Sequence, residues 1–126
     1  MSVCFIAGAI VKTLQVSAFT LVWTHSVQKT DWQEDWRASP DGLLLTEARV
    51  KGSGAGIDPP AEARLVDGWW RWRPQAVTRS EVILSQSNVA GDWRICADGR
   101  CRALADILGP AAATIPVAMR SCATKR

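Results

Sequence analysis

The chain has no tyrosine, one histidine and only two phenylalanines among its 126 residues. Its four cysteines contain no Cys-x-x-Cys pair, so the spacings of a zinc site are missing and no metal is expected. No run approaches the roughly 20 apolar residues of a spanning helix, and no membrane span is expected. Charge of one sign is scarce too: 15 Lys and Arg against 12 Asp and Glu leave +3. That surplus is too small to demand a polyanionic partner, so nucleic acid is not expected. Neither a Gly-x-x-x-x-Gly-Lys-Ser/Thr loop nor a Gly-x-Ser-x-Gly elbow occurs, and no cofactor is implied.

What is present is apolar and rich in tryptophan. Hydrophobic residues make up 48% against 21% charged, enough to fold one domain over residues 1–126 without a metal or a covalent staple. Met1 to Ile10 is apolar, and Val16-Ser17-Ala18 loosely imitates a small-residue cleavage site. The run lacks a leading basic residue, is broken by Gly8 and ends at Lys12, so it is not expected to be a signal peptide. The default compartment on that reading is the cytosol.

Strand signals dominate. Val3–Ala7 and Ile10–Val16 are short apolar runs, and Phe19, Leu21, Trp23 and His25 share one face of an extended segment that suits a central strand. Trp32, Glu34 and Trp36 share a face if extended, and Ser39-Pro40-Asp41-Gly42 turns the chain into Leu43–Lys51. A helix over residues 30–37 competes, because Thr30 and Gln33 have capping-box spacing. Asp67-Gly68 and Asp98-Gly99 each mark a tight hairpin, while Glu81–Ser87 reads as a further strand. Residues 105–126 read as an irregular crossing and a last short strand, outside a core over about 3–104. About eight or nine short strands fit an all-β antiparallel sandwich or partly open barrel.

The Asp98-Gly99 hairpin sets Cys96 opposite Cys101 as a non-hydrogen-bonded pair, at a separation a disulfide can use. The two thiols are either bridged or, in a reduced protein, two small hydrophobes. If they bridge, Cys4 and Cys122 remain to join the chain ends.

Chemistry-bearing residues are few. His25 and Ser26 end a strand with Glu34 shortly after, the ingredients of a hydrolase with His25 as base and Glu34 orienting it. Neighbours in a strand point to opposite faces, which separates Ser26 from His25 and argues against an enzyme. Lys51 borders Gly52-Ser-Gly-Ala-Gly56, a loop whose amides can converge on a carboxylate or phosphate or can simply make a wide turn. Trp69-Trp-Arg-Trp-Arg73 places Trp70 and Trp72 on one face, as a strand burying two indoles does.

The segments Phe19-Thr-Leu-Val-Trp-Thr-His-Ser-Val-Gln-Lys-Thr30, Trp32-Gln-Glu-Asp-Trp36, Leu43–Lys51 and Gly52–Gly56 resemble an uncharacterised bacterial family, domain of unknown function 1850. Its genes often lie beside TRAP-type transporter permeases, and the resemblance runs from about Val3 to Leu104. It implies a small, mostly β accessory domain near solute uptake, with no established reaction and an extracytoplasmic setting. His25, Ser26, Glu34, Gly54 and Gly56 match the family pattern. Together with Lys51 they form the expected polar patch, a non-enzymatic contact for a small anionic solute or a TRAP-type transporter component. A hydrolase using His25, Ser26 and Glu34, or a purely structural domain, are the alternatives.

Overall fold

The computed structural model describes residues 1–25, 30–51, 59–84, 93–110 and 115–123, with the backbone alone described at His25 and Thr30. The chain folds into two antiparallel sheets packed face to face. The smaller sheet holds four strands in the order β2-β1-β12-β9: β1 (Ser2–Ala7), β2 (Ile10–Leu14), β9 (Val82–Leu84) and β12 (Val117–Cys122). The larger has the order β11-β10-β3-β4-β5-β7-β6. Its long members are β3 (Ala18–His25), β4 (Thr30–Ser39) and β5 (Gly42–Lys51). Two short hairpins, β6 (Arg64–Val66) with β7 (Trp69–Trp72) and β10 (Arg94–Ala97) with β11 (Arg100–Ala103), flank them. A two-residue strand, β8 (Thr78–Arg79), pairs with the start of β5.

The described residues therefore contain twelve strands, more than the eight or nine expected. The excess comes from pieces such as β8, too short to show a two-residue period. Among the described residues neither sheet closes into a barrel. Residues 30–37 are strand, not helix, because Thr30–Ser39 pairs along β3 on one side and β5 on the other, and that pairing outweighs one capping signal. The segment after residue 104 belongs to the core. Val117 and Met119 are fully buried, and Leu104–Leu108 forms α1, burying Leu104, Ile107 and Leu108. Their spacing is that of a helical stripe, but five residues are too few to register as a helix before packing supports them.

Both Asp-Gly turns form as the sequence suggests, with Asp67 at φ 52°, Gly68 at 85°, Asp98 at 52° and Gly99 at 78°. Such doubly left-handed turns match the twist of the strands they join. In β5 the alternation is interrupted: Asp35 pairs with Glu47 but Trp36 pairs with Leu45, so Thr46 is an extra, bulged residue. Its hydroxyl donates to the Asp35 carbonyl at 3.1 Å. The bulge turns Leu43 and Leu45 to the same inner face as Ala48 and Val50.

The N-terminal apolar run is β1, central in the smaller sheet, and Val3 and Phe5 are fully buried. Cys4 of β1 is bonded to Cys122 of β12 with Cα atoms 6.0 Å apart, and Cys96 to Cys101 across the β10–β11 hairpin with Cα atoms 4.0 Å apart. The second spacing is that of a close, non-hydrogen-bonded pair.

Two outcomes are expected for stability. The Cys4–Cys122 bond closes a loop of sequence separation 118 and the Cys96–Cys101 bond one of 5. Chain-entropy arithmetic then makes loss of the first cost about 5 kcal/mol and loss of the second about 2 kcal/mol. Denaturant titration of Cys4→Ser/Cys122→Ser against Cys96→Ser/Cys101→Ser measures that order, and equal losses contradict it. Gly42 sits at φ 132°, and a Cβ there would lie 2.5 Å from the Arg79 carbonyl oxygen. Gly42→Ala is therefore expected to destabilise by at least about 1–3 kcal/mol from backbone strain, read as a lower urea midpoint.

Candidate functional site

Of the residues expected to form one patch, the structure describes Glu34 and Lys51 fully and His25 by its backbone. His25 ends β3 opposite Thr30, whereas Glu34 pairs with Leu21 and Ala48 further along the sheet. At strand rise the four positions from Leu21 to His25 span about 13 Å of backbone, so the two positions stand apart along the sheet. Lys51 follows the buried Val50 and points to the opposite, outer face, its Nζ lying 5.8 Å from the Trp69 ring. Ser26, Gly54 and Gly56 lie outside the described residues.

Glu34 instead faces inward, between the sheets. Alternation along β3 and β4 puts Trp23, Trp32, Glu34 and Trp36 on that face, in register as Trp23 with Trp32 and Leu21 with Glu34. A cavity of about 450 Å³ opens here, walled by Trp23, Glu34, Trp36 and Leu45 from the larger sheet, by Trp93, by Arg79 and by Glu81 to Leu84. The indoles support one another. Trp23 stacks on Trp32 with centroids 5.7 Å apart and meets Trp93 at 4.5 Å, and Trp32 meets the edge of Trp72 at 6.4 Å. Such contacts fix ring orientation as well as burying area.

Trp36 Nε1 donates to Glu34 Oε1 at 3.2 Å. Burial pushes the Glu34 carboxyl above its ordinary range, against the pull of that hydrogen bond and of the Arg79 charge. Glu81 on the same wall is held by Arg120 of β12, whose Nε donates to it at 2.6 Å. The sequence groups Trp32, Glu34 and Trp36 on one face but gives no sign of Arg79 or Trp93. Both arrive from elements distant in sequence, and β8 is too short to show a pattern.

The outer face carries the opposite arrangement. Asp35 accepts from Thr20 Oγ1 at 2.7 Å and from both Arg49 Nη atoms at 2.9 and 3.1 Å. Arg49 Nε donates to Gln33 at 2.7 Å, and Arg71 donates to Glu47 at 2.8 Å. A groove of about 590 Å³ runs over this face beside the Cys96–Cys101 hairpin. Burial alone would push the Asp35 carboxyl up, but the hydrogen bonds from Arg49 and Thr20 and the charges of Arg49 and Arg71 outweigh it and hold it below its usual range. The groove is the larger space, yet its carboxylate is already engaged by neighbouring strands. The inner cavity is the better candidate site. Among the described residues no group of His, Cys, Asp and Glu has the arrangement of a metal centre, and no helix is long and apolar enough to cross a membrane.

A family model described as a domain of unknown function, DUF1850, matches residues 19–104. That span contains the cavity-lining residues and nearly all of the larger sheet, and it leaves β1, β2 and β12 outside. No curated protein and no solved structure matches the chain.

The adjacent carboxylates are expected to give stability opposite pH dependences. Glu34, with its folded pKa raised, contributes stability that is full below its unfolded pKa and is lost as pH rises through the folded value. Asp35, with its folded pKa lowered, contributes stability that is present above its unfolded pKa and lost as pH falls through the folded value. Against the parent protein, Glu34→Gln should gain stability as pH rises from 4 towards neutrality, whereas Asp35→Asn should be the less stable at neutral pH and converge with it in acid. Melting curves across pH check both signs.

Proposed function

The chain belongs to the DUF1850 family, a domain of unknown function, and on that premise we propose that it is a non-enzymatic binding domain holding a small solute beside Glu34. The carrying observation is the cavity walled by Trp23, Trp36 and Trp93 with a partly buried carboxylate on its side. Its size, about 450 Å³, is that of small-molecule sites, which pair apolar walls with a few convergent polar groups. The indole wall is braced by contacts of its own, so little ordering is left for the ligand to impose.

The two disulfides support a setting outside the cytosol, where such bonds form and persist. Resemblance to a family encoded beside TRAP-type permeases supports a role in solute uptake. In this reading the strand end at His25 and Ser26, with Lys51 and the loop of Gly54 and Gly56, contacts a transporter component. Lys51 faces away from Glu34, which supports a contact by Lys51 outside the solute cavity.

The test is a thermal-shift screen of the disulfide-bonded protein with millimolar amino acids and betaines, dicarboxylates and sugars, with NMR of each mixture to detect turnover. At least one class should raise Tm by several degrees, since a ligand at a hundredfold excess over Kd adds about 2.7 kcal/mol. Its NMR spectrum should show no product. A folded, oxidised protein indifferent to every class, or one that consumes a solute, overturns the proposal.

A further inference from the structure

We propose that the solute of the inner cavity is a compact zwitterion, an α-amino acid or a betaine, with its ammonium end against Trp23, Trp93 and Glu34 and its carboxylate on Arg79. The inference rests on the binding reading above and adds the chemical class of ligand. It follows from the charges on the cavity wall. Among the described residues that line it, three carry formal charge: Glu34, Arg79 and Glu81. Glu81 is neutralised by Arg120, which leaves one negative and one positive group facing the same space.

Each simpler ligand class leaves one of them unmatched. A free anion would meet Arg79 but would also face the carboxylate of Glu34, which repels it. A cation without a carboxylate would suit the indoles and Glu34 and leave Arg79 unanswered. A neutral sugar could stack on the tryptophans but would use neither charge. A zwitterion satisfies both, at a cost in desolvation that opposite partners at each end offset.

The aromatic geometry suits the positive end. Trp23 and Trp93 are inclined by 41° with centroids 4.5 Å apart, forming a bent wall, and Trp32 stacked behind Trp23 at 5.7 Å holds that ring in place. Aromatic surfaces of this kind receive methylated ammonium groups through cation–π attraction. The Trp36 N–H on Glu34 Oε1 fixes the carboxylate in the same corner. Arg79 is exposed and stands on β8, where a guanidinium can take a ligand carboxylate bidentately.

Calorimetric titration of the oxidised protein with glycine betaine, alanine, choline, succinate and glucose decides it. Betaine or alanine should bind at least about tenfold more tightly than choline, the worth of one charge-assisted contact, and succinate and glucose should not compete. Arg79→Gln should bring the zwitterion down to the level of choline and leave choline unchanged. Glu34→Gln should weaken both and abolish the loss of affinity on acidification, because protonating Glu34 removes the partner of the ammonium end. Arg79 is exposed, so its variant keeps the test decisive even if the Glu34 variant folds poorly. Binding of succinate or glucose without betaine or alanine overturns the zwitterion and leaves the binding domain standing. Absence of binding by all five overturns the zwitterion, and the wider solute screen then decides whether the binding reading falls with it.

Discussion

One extra residue in one strand decides what the inner face of the large sheet contains. Strand side chains alternate strictly, so Ala48 and Val50 facing inward would oblige Leu43 and Leu45 to face solvent if β5 were regular. The bulge at Thr46 removes that conflict, and its hydroxyl on the Asp35 carbonyl ties it to β4. Leu43 then joins the core and Leu45 reaches the wall of the cavity. The same irregularity keeps Glu47 and Arg49 on the outer face, where they complete the charged ladder with Asp35 and Arg71. Core, cavity and ladder thus depend on a single shift of register.

Around that frame, closure is achieved by long-range elements. The smaller sheet covers the larger through β1 and β12, and Ser121 Oγ donates to the Ser39 carbonyl at 2.6 Å, linking the sheets directly. Helix α1 packs against β2 and β11, the edges of the two sheets. The Cys4–Cys122 bond fastens the two chain ends within the smaller sheet. Most of these elements lie outside residues 19–104, the span of the family match. The match takes in nearly all of the larger sheet and its aromatic face, and β1, β2 and β12, which cover it in this chain, lie outside the matched span.

Glu34 and Asp35 show how strand alternation assigns chemistry. They are neighbours of the same type, yet one faces tryptophans and the other arginine. The first is pushed towards its neutral form and the second is fixed as an anion. The carboxylate of Asp35 is committed to Arg49 and Thr20 within the sheet, while that of Glu34 lies among indoles on the wall of an open cavity. That contrast makes the surroundings of Glu34, and not the larger outer groove, the candidate site.

Local pattern alone determined a great deal here. A short apolar run marked β1, two-residue alternation marked β3 and β4, the Ser39–Gly42 turn marked β5 and the Asp-Gly pairs marked two hairpins, because these features depend only on local side-chain pattern and on backbone angles at a few positions. The same turn geometry placed Cys96 opposite Cys101, and the alternation of Trp32, Glu34 and Trp36 set the carboxylate among indoles. Tertiary structure decided the rest. It brought Arg79 and Trp93 to Glu34 and drew Leu104–Leu108 into a helix. Each of those outcomes depends on contacts between residues far apart in the chain, and a short segment acquires its conformation there from what it packs against.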